Sequence, residues 1–340
     1  MGFEKSVFLV YGAGSIGCFI GGRLAAAGAN VRFLLRPRLA AELAKHGLTL
    51  SDMSGPRVYL PPGELQLQTK LVPTRAPELI LLTVKSAASA DAAREIQLCF
   101  GNAVPVLSLQ NGVENVATMR AAAPGLIVIP GMVPFNVLQR GPGQWHRGTS
   151  GELCAEDHPT LAPLQPLFER ASLPLSLAER LLPVQWGKLL LNLNNPLNAL
   201  SGLPLVSELA DRGYRVLLAT LMDEALTALA AAEFNPASVG AAPPKLVPQL
   251  LRLPTWLFKI AAAGMLKMDP LARSSMWEDF QAGREPEIDA LCGAVVRLAE
   301  RYGTQAPLNR RLLELVKSPE ARTRTWSAPE LSSALTAHAQ

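Results

Sequence analysis

The sequence predicts an α/β fold, with a doubly wound parallel sheet in residues 1–178 followed by an all-α domain in residues 179–330. Three observations predict it. Apolar strand-like runs alternate with helix-like stretches through the first half. A Gly-x-Gly-x-x-Gly sits where the first strand meets the first helix. After about Ser176 the strand-like runs give way to helical periodicity that continues almost to the end.

Val7–Tyr11 (VFLVY) is a continuous apolar run, as a strand buried on both faces of a parallel sheet requires. A helix-like stretch, Ile16–Ala27, follows and stops at Gly28. Val31–Leu35 reads as the second strand and Leu39–His46 as its helix. Leu79–Val84, Val104–Leu109 and Leu126–Ile129 read as further core strands. Alternation of this kind implies right-handed βαβ units. Gly141–Glu156 reads as a closing hairpin. The second half offers helices at Leu181–Leu193, Leu205–Glu233, Lys245–Leu266, Arg273–Gln281, Glu287–Tyr302 and Asn309–Lys317, with a frayed last dozen residues.

Composition narrows the function classes. With 340 residues, 49% of them hydrophobic and 18% charged, the chain can bury two cores. The net charge of +4 suits anionic small molecules, but no Lys/Arg stripe marks a nucleic-acid partner. Cys18, Cys99, Cys154 and Cys292 are widely spaced, as are the four histidines, so neither a metal site nor a disulfide framework is expected. Met1–Ser6 loosely fits a myristoylation pattern. No charge occurs from Leu189 to Ser207, yet Asn192, Asn194, Asn195, Asn198, Pro196 and Pro204 exclude a membrane span, because each buried amide needs a partner. A cytoplasmic protein without membrane or nucleic-acid partners is expected. The leucine-rich helical half is suited to a homodimer.

Gly12-Ala13-Gly14-Ser15-Ile16-Gly17 directly follows a strand and opens a helix. Gly12 permits the tight turn, Gly14 lets a pyrophosphate approach the backbone, and Gly17 lets helix and strand pack closely. The N–H groups of Ser15 and Ile16 then face the phosphates at the positive end of the helix dipole. A Rossmann-type dinucleotide site is expected, the alternative being a tight turn in an ordinary α/β sheet. Enzymes that bind NAD place an acid at the end of the second strand. Here the sequence is Leu35-Arg36-Pro37-Arg38, and Arg36 suits the 2′-phosphate of NADPH.

In the helical half, Lys188, Asn192 and Asn195 fall on one face of a continuous helix at ~100° per residue. Such a polar stripe among leucines faces a ligand, or else it is a snorkelling lysine with two satisfied amides. Ser274-Ser275-Met276 and Glu287 form a second cluster, for which helix capping is the simpler reading.

Together these motifs resemble the ketopantoate reductase (2-dehydropantoate 2-reductase) family. The resemblance rests on Gly12–Gly17, Arg36, Val84-Lys85, Gln110-Asn111-Gly112, Trp186-x-Lys188, the Ser275…Glu287 pair and Gly303…Pro307-x-Asn309. It implies NADPH-dependent reduction of ketopantoate to pantoate in pantothenate biosynthesis. Lys188 would be the general acid and Glu287 its catalytic and substrate-binding companion. Lys85 and Asn111 would serve the cofactor, with Asn111, Asn192, Asn195 and Ser275 on the substrate. Two departures stand out. The Asn195-Pro196 pair arrives one residue early, and Ala272 stands where relatives carry a substrate-binding asparagine. The stretch from Phe234 to Arg273 is also long. These departures keep open a related reductase of another keto acid. A non-catalytic NADPH-binding sensor is the remaining alternative.

Overall fold

The computed structural model describes residues 7–53, 55–73, 75–239, 242–264 and 269–336. The Met1–Ser6 acylation pattern lies outside them. Two compact units divide the chain, Met1–Leu181 and Leu182–Gln340.

The strands of the first unit are β1 (Val7–Tyr11), β2 (Asn30–Leu34), β3 (Leu48–Asp52), β4 (Val58–Leu60), β5 (Gln66–Gln68) and β6 (Leu79–Leu82). They continue with β7 (Val106–Ser108), β8 (Val128–Met132), β9 (Val137–Gly141), β10 (Gln144–Arg147), β11 (Leu153–Glu156) and β12 (Leu175–Ala178). Eight of them form the main sheet in the order β12-β11-β8-β7-β6-β1-β2-β5. Every pair in it is parallel except β11 with β8. Its helices are α1 (Ser15–Ala26), α2 (Pro37–His46), α3 (Ser89–Phe100), α4 (Asn115–Ala122) and α5 (Gln165–Arg170).

The apolar runs behave as their chemistry demands. Phe8 and Val10 enter one core with Phe33 and Leu81, while Leu9 and Tyr11 enter the other with Leu34 and Ile80. Alternate residues of β1 thus feed opposite faces, and both faces are covered. The order of the strands reverses between β1 and β6: β2 and β5 lie to one side, β7 and β8 to the other. At such a switch point the loops after the strands part and leave a crevice.

The expected closing hairpin at Gly141–Glu156 is corrected. The hairpin is β9–β10, which joins β3 and β4 in a separate four-stranded sheet, while β11 pairs with β8 and β12 in the main sheet. The β9–β10 strands carry polar residues because one side of each stays half-exposed, so their pattern merges with the turns.

The second unit is helical: α6 (Leu182–Asn192), α7 (Asn194–Ser201), α8 (Leu205–Ala210), α9 (Arg212–Ala231), α10 (Val247–Arg252), α11 (Thr255–Ala261), α12 (Ser275–Gln281), α13 (Cys292–Arg301), α14 (Pro307–Lys317) and α15 (Ala328–Thr336). Three expected helices are interrupted. Asp211 ends α8 and caps α9, its carboxylate accepting from Gly213 N at 2.7 Å. Pro254 separates α10 from α11. Glu287 precedes a 3₁₀ turn, Ile288–Ala290, and α13 begins only at Cys292. The tail expected to fray instead forms α15 as far as Thr336.

Arg215 of α9 is fully buried and ties the long segment after Phe234 to the rest of this unit. Its Nε donates to Leu251 O at 3.0 Å, Nη1 to Leu209 O at 3.0 Å and Nη2 to Leu253 O at 2.9 Å. Those carbonyls end α10 and α8, where helix dipoles favour a cation. The guanidinium also lies 4.2 Å from the Phe258 ring centre. Arg215→Leu leaves three buried carbonyls without a donor and is expected to destabilise the fold by about 3 kcal/mol or more. Denaturant unfolding measures this; an unchanged midpoint would contradict the account.

Candidate active site

In the first unit the glycine motif lies at the switch point. Gly12 has φ +85°, and a Cβ there would come within 2.3 Å of Val84 Cγ1 and 3.0 Å of Val84 N. Both the turn and the neighbouring β6 loop therefore exclude a side chain. Gly12 and Ala13 donate to Leu34 O at 3.1 and 2.9 Å, which folds the turn over the end of β2. A Cβ on Gly14 would meet only Gly12 O, at 3.9 Å, so the space before the N-terminus of α1 is open. A Cβ on Gly17 would lie 2.5 Å from Thr83 Oγ1 and 2.8 Å from Val10 Cγ1, which is close helix–strand packing. Ser15 and Ile16 begin α1 half-exposed, and their N–H groups belong to the first turn, which has no intrahelical acceptors.

Arg36 stands at the N-cap of α2, exposed, two residues beyond β2. From Leu35 to Arg38 no carboxylate intervenes, and the nearest acid in sequence, Glu42, pairs with Arg38 at 3.5 Å. Lys85 and Asn111 lie in the loops after β6 and β7, both half-buried. Side chains knit these loops together. Gln110 Nε2 donates to Val84 O at 3.0 Å, and Ser86 Oγ to Asn111 O at 3.0 Å. Asn115 Nδ2 also donates to Asn111 O, at 2.6 Å. Gln110 is thus structural, and it fixes the backbone from which Lys85 and Asn111 project.

In the second unit Lys188 and Asn192 are half-buried and one turn apart on α6, while Trp186, Leu189 and Leu190 are buried. Gly187 explains the residue between Trp186 and Lys188. A Cβ there would meet Ala237 O at 2.1 Å, so the chain entering the long segment presses on the α6 backbone beside Lys188. Burial lowers the Lys188 pKa to about 8, and the negative charge of Glu287 opposes that shift. Desolvation prevails, a balance that spacing alone left open.

The single continuous helix expected to carry Lys188, Asn192 and Asn195 is corrected. Pro196 has no N–H to bond Asn192 O, so the ladder breaks at Leu193 and Asn195 belongs to α7. Asn195 is half-buried, and its carbonyl accepts from Ser274 Oγ at 3.1 Å. Ser275 is not the N-cap of α12. Ser274 is, with Trp277 N donating to its Oγ at 3.2 Å, and Ser275 is the exposed first residue of the helix. Ala272 is buried, and its carbonyl accepts from Leu205 N at 2.9 Å. The Pro307-x-Asn309 motif also proves structural. Glu224 accepts from Leu308 N at 2.8 Å and from Asn309 N at 3.0 Å, which caps α14. Sequence reasoning missed Glu224; a lone glutamate within the apolar pattern of α9 was its only signal.

Comparison with known proteins shows the family. Residues 8–159 match the family "Ketopantoate reductase PanE/ApbA", and residues 180–320 match "Ketopantoate reductase PanE/ApbA C terminal". The 2-dehydropantoate 2-reductase of Pyrococcus horikoshii is 26% identical over 320 residues, covering 92% of this chain and 97% of the relative. A PanE/ApbA family ketopantoate reductase from Ralstonia eutropha superposes with TM-score 0.76 at 29% identity, covering 92% of this chain and 97% of that one. D-mandelate dehydrogenase, solved with NADH and anilino(oxo)acetate, shares the fold with TM-score 0.75 at 21% identity, covering 96% and 99%. With both halves matched in order, the chain belongs to the ketopantoate reductase family of oxidoreductases.

Proposed function

We propose that this protein is a cytoplasmic 2-dehydropantoate 2-reductase, which reduces ketopantoate to pantoate with NADPH on the route to pantothenate. The observation that carries the chemistry is Lys188, an ammonium held at a pKa of about 8 by burial and kept cationic by Glu287. A structural snorkelling lysine would keep its head in water and its ordinary pKa.

The residues of the first unit fit a dinucleotide. The open space before Gly14, which a side chain would fill, and the first-turn N–H groups of Ser15 and Ile16 suit a pyrophosphate. Arg36 suits a 2′-phosphate by charge and fork geometry. Lys85 and Asn111 stand on loops of the same crevice and would hold the nicotinamide half. Bound NADPH supplies the hydride. The chain supplies the rest. Lys188 Nζ donates to the ketone oxygen, stabilises the negative charge that develops there and delivers the proton. Asn111, Asn192 and Asn195 orient the substrate by amide hydrogen bonds. The exposed Ser275 hydroxyl, at the start of α12, binds the substrate carboxylate. Glu287 keeps Lys188 protonated and accepts from the substrate hydroxyl.

Ala272 favours one further reading, a related enzyme for a different 2-keto acid, because the buried methyl offers no amide to the substrate's far end. Purified protein assayed for NADPH oxidation with ketopantoate and two bulkier 2-keto acids separates the two. Preference for a bulkier acid by an order of magnitude in kcat/KM would remove the ketopantoate assignment.

Three outcomes are expected. Gly14→Ala should leave the unfolding midpoint unchanged and weaken NADPH binding at least about tenfold, because its methyl occupies pyrophosphate space; unaltered binding by fluorescence titration would place the phosphates elsewhere. Arg36→Asp should weaken NADPH far more than NADH, at about 1–4 kcal/mol for each unit charge changed near the 2′-phosphate; equal losses would move that contact to another residue. Lys188 must be protonated to donate. Because its pKa is lowered to about 8, kcat for reduction should hold below pH 8 and fall as pH rises through it. Glu287→Gln should move that fall to lower pH, and Lys188→Ala should cut kcat by about 10²–10⁴-fold. A profile flat to pH 10 would take the proton transfer away from Lys188.

A further inference from the structure

Glu208 of α8 is fully buried, and among the described residues no lysine or arginine pairs with it. Its Oε2 accepts from Asn198 Nδ2, and the Asn194 side chain also bonds the carboxyl. Asn198, also fully buried, uses its whole amide. The second Nδ2 hydrogen goes to Leu203 O at 2.9 Å, and Oδ1 accepts from Ser274 N at 2.8 Å. Ser274 in turn donates from Oγ to Asn195 O and caps α12. A continuous set of hydrogen bonds therefore runs from α8 through α7 to the residue before Ser275.

The amide has one workable orientation. With two acceptors, Glu208 Oε2 and Leu203 O, on its nitrogen side, Nδ2 cannot turn towards Ser274, so Oδ1 must receive the Ser274 N–H. Removing the carboxyl takes away one of the two groups that fix this choice. Desolvation also pushes the Glu208 pKa to about 8, so the group is mostly the neutral acid at pH 7. A neutral acid holds the amide without a buried charge in need of a counterion.

We infer that Glu208, acting through Asn198 and Ser274, is a positioning residue for the keto acid: it fixes the start of α12, and with it Ser275, against the helices that carry Asn192 and Asn195. This rests on the reading that Ser275 binds the substrate carboxylate. A carboxylate contact is made equally in the ground and transition states, so loosening it raises KM and spares kcat. A merely structural role would instead lower the melting temperature and leave the KM of the folded fraction unchanged.

The experiment compares Glu208→Ala and Glu208→Gln in the full chain. Steady-state kinetics with ketopantoate is one arm, and hydrogen exchange at the Ser274 and Trp277 amides is the other. Glu208→Ala should raise the KM for the keto acid about tenfold, hold kcat and the KM for NADPH within about threefold, and speed exchange at both amides at least tenfold. Glu208→Gln, which keeps an acceptor facing Asn198 and carries no charge, should restore both readouts to within about twofold. If Glu208→Ala does not fold, Ser274→Ala carries the same KM and exchange expectations one bond further on. Unchanged KM in an active variant, or unchanged exchange, overturns the inference. An unaltered protein that reduces no keto acid defeats the proposed function instead, and the exchange arm still decides whether Glu208 fixes α12.

Discussion

The first unit depends on how closely two loops approach at the sheet's switch point. Gly12 adopts a left-handed backbone, and the place of its missing side chain is taken by Val84. Through that contact the turn after β1 and the loop after β6 settle against each other, and Thr83 Oγ1 donates to Gly12 O at 3.0 Å. Gln110 then ties the loop after β7 to Val84 O. Three strand ends held in this way present the start of α1, Lys85 and Asn111 from one crevice. A side chain at Gly12 would therefore disturb the fold and the crevice together, whereas one at Gly14 would disturb the crevice alone.

The second unit solves a different problem, that of placing asparagines in a leucine-rich interior. Pro196 ends one helical ladder, and Asn194, Asn195 and Asn198 sit on the helix that restarts at Asn194. Each buried amide must find partners or cost the unit about 1–3 kcal/mol. Asn198 finds them in Glu208, Leu203 and Ser274, and Asn195 engages Ser274 through its backbone. The polar groups excluded from a membrane reading by their number thus become the joints between α7, α8 and α12. Among the described residues no helix is long and apolar enough to cross a membrane.

What the sequence revealed, and what it hid, follows from the range of the interactions. The core strands were legible because a run such as Leu79–Leu82 is apolar on both faces. The glycine turn was legible because its spacing is local. The strands β3, β4 and β5 were not: LTLSD, VYL and QLQ are short and partly exposed, and β10 and β2, against which β3 and β5 pair, are distant in sequence. Lys188, Asn192, Ser275 and Glu287 were singled out by helical spacing and by resemblance, but the break at Leu193 was missed although Pro196 was in view. The Glu208–Asn198 pair was hidden for a further reason. A turn through Gly202 reverses the chain between them, and no helical or strand periodicity links residues ten positions apart across a turn.

Two ionisable groups of the helical unit, Lys188 and Glu208, are both brought to about 8 by desolvation, from opposite directions. Burial disfavours charge in each, and at about 8 both groups keep their proton at pH 7, which leaves Lys188 a cation and Glu208 a neutral acid. Lys188 has Glu287 to oppose its loss of charge and remains mostly the cation at pH 7. An ammonium of pKa about 8 gives up its proton more readily than an ordinary lysine yet still holds it at pH 7. Glu208 has amides and no cation among the described residues, so it remains mostly the neutral acid that a buried hydrogen-bonding joint must be. The same desolvation therefore leaves a cation on α6 and a neutral acid on α8. The difference lies in the groups themselves, since the same proton makes an amine a cation and a carboxyl neutral.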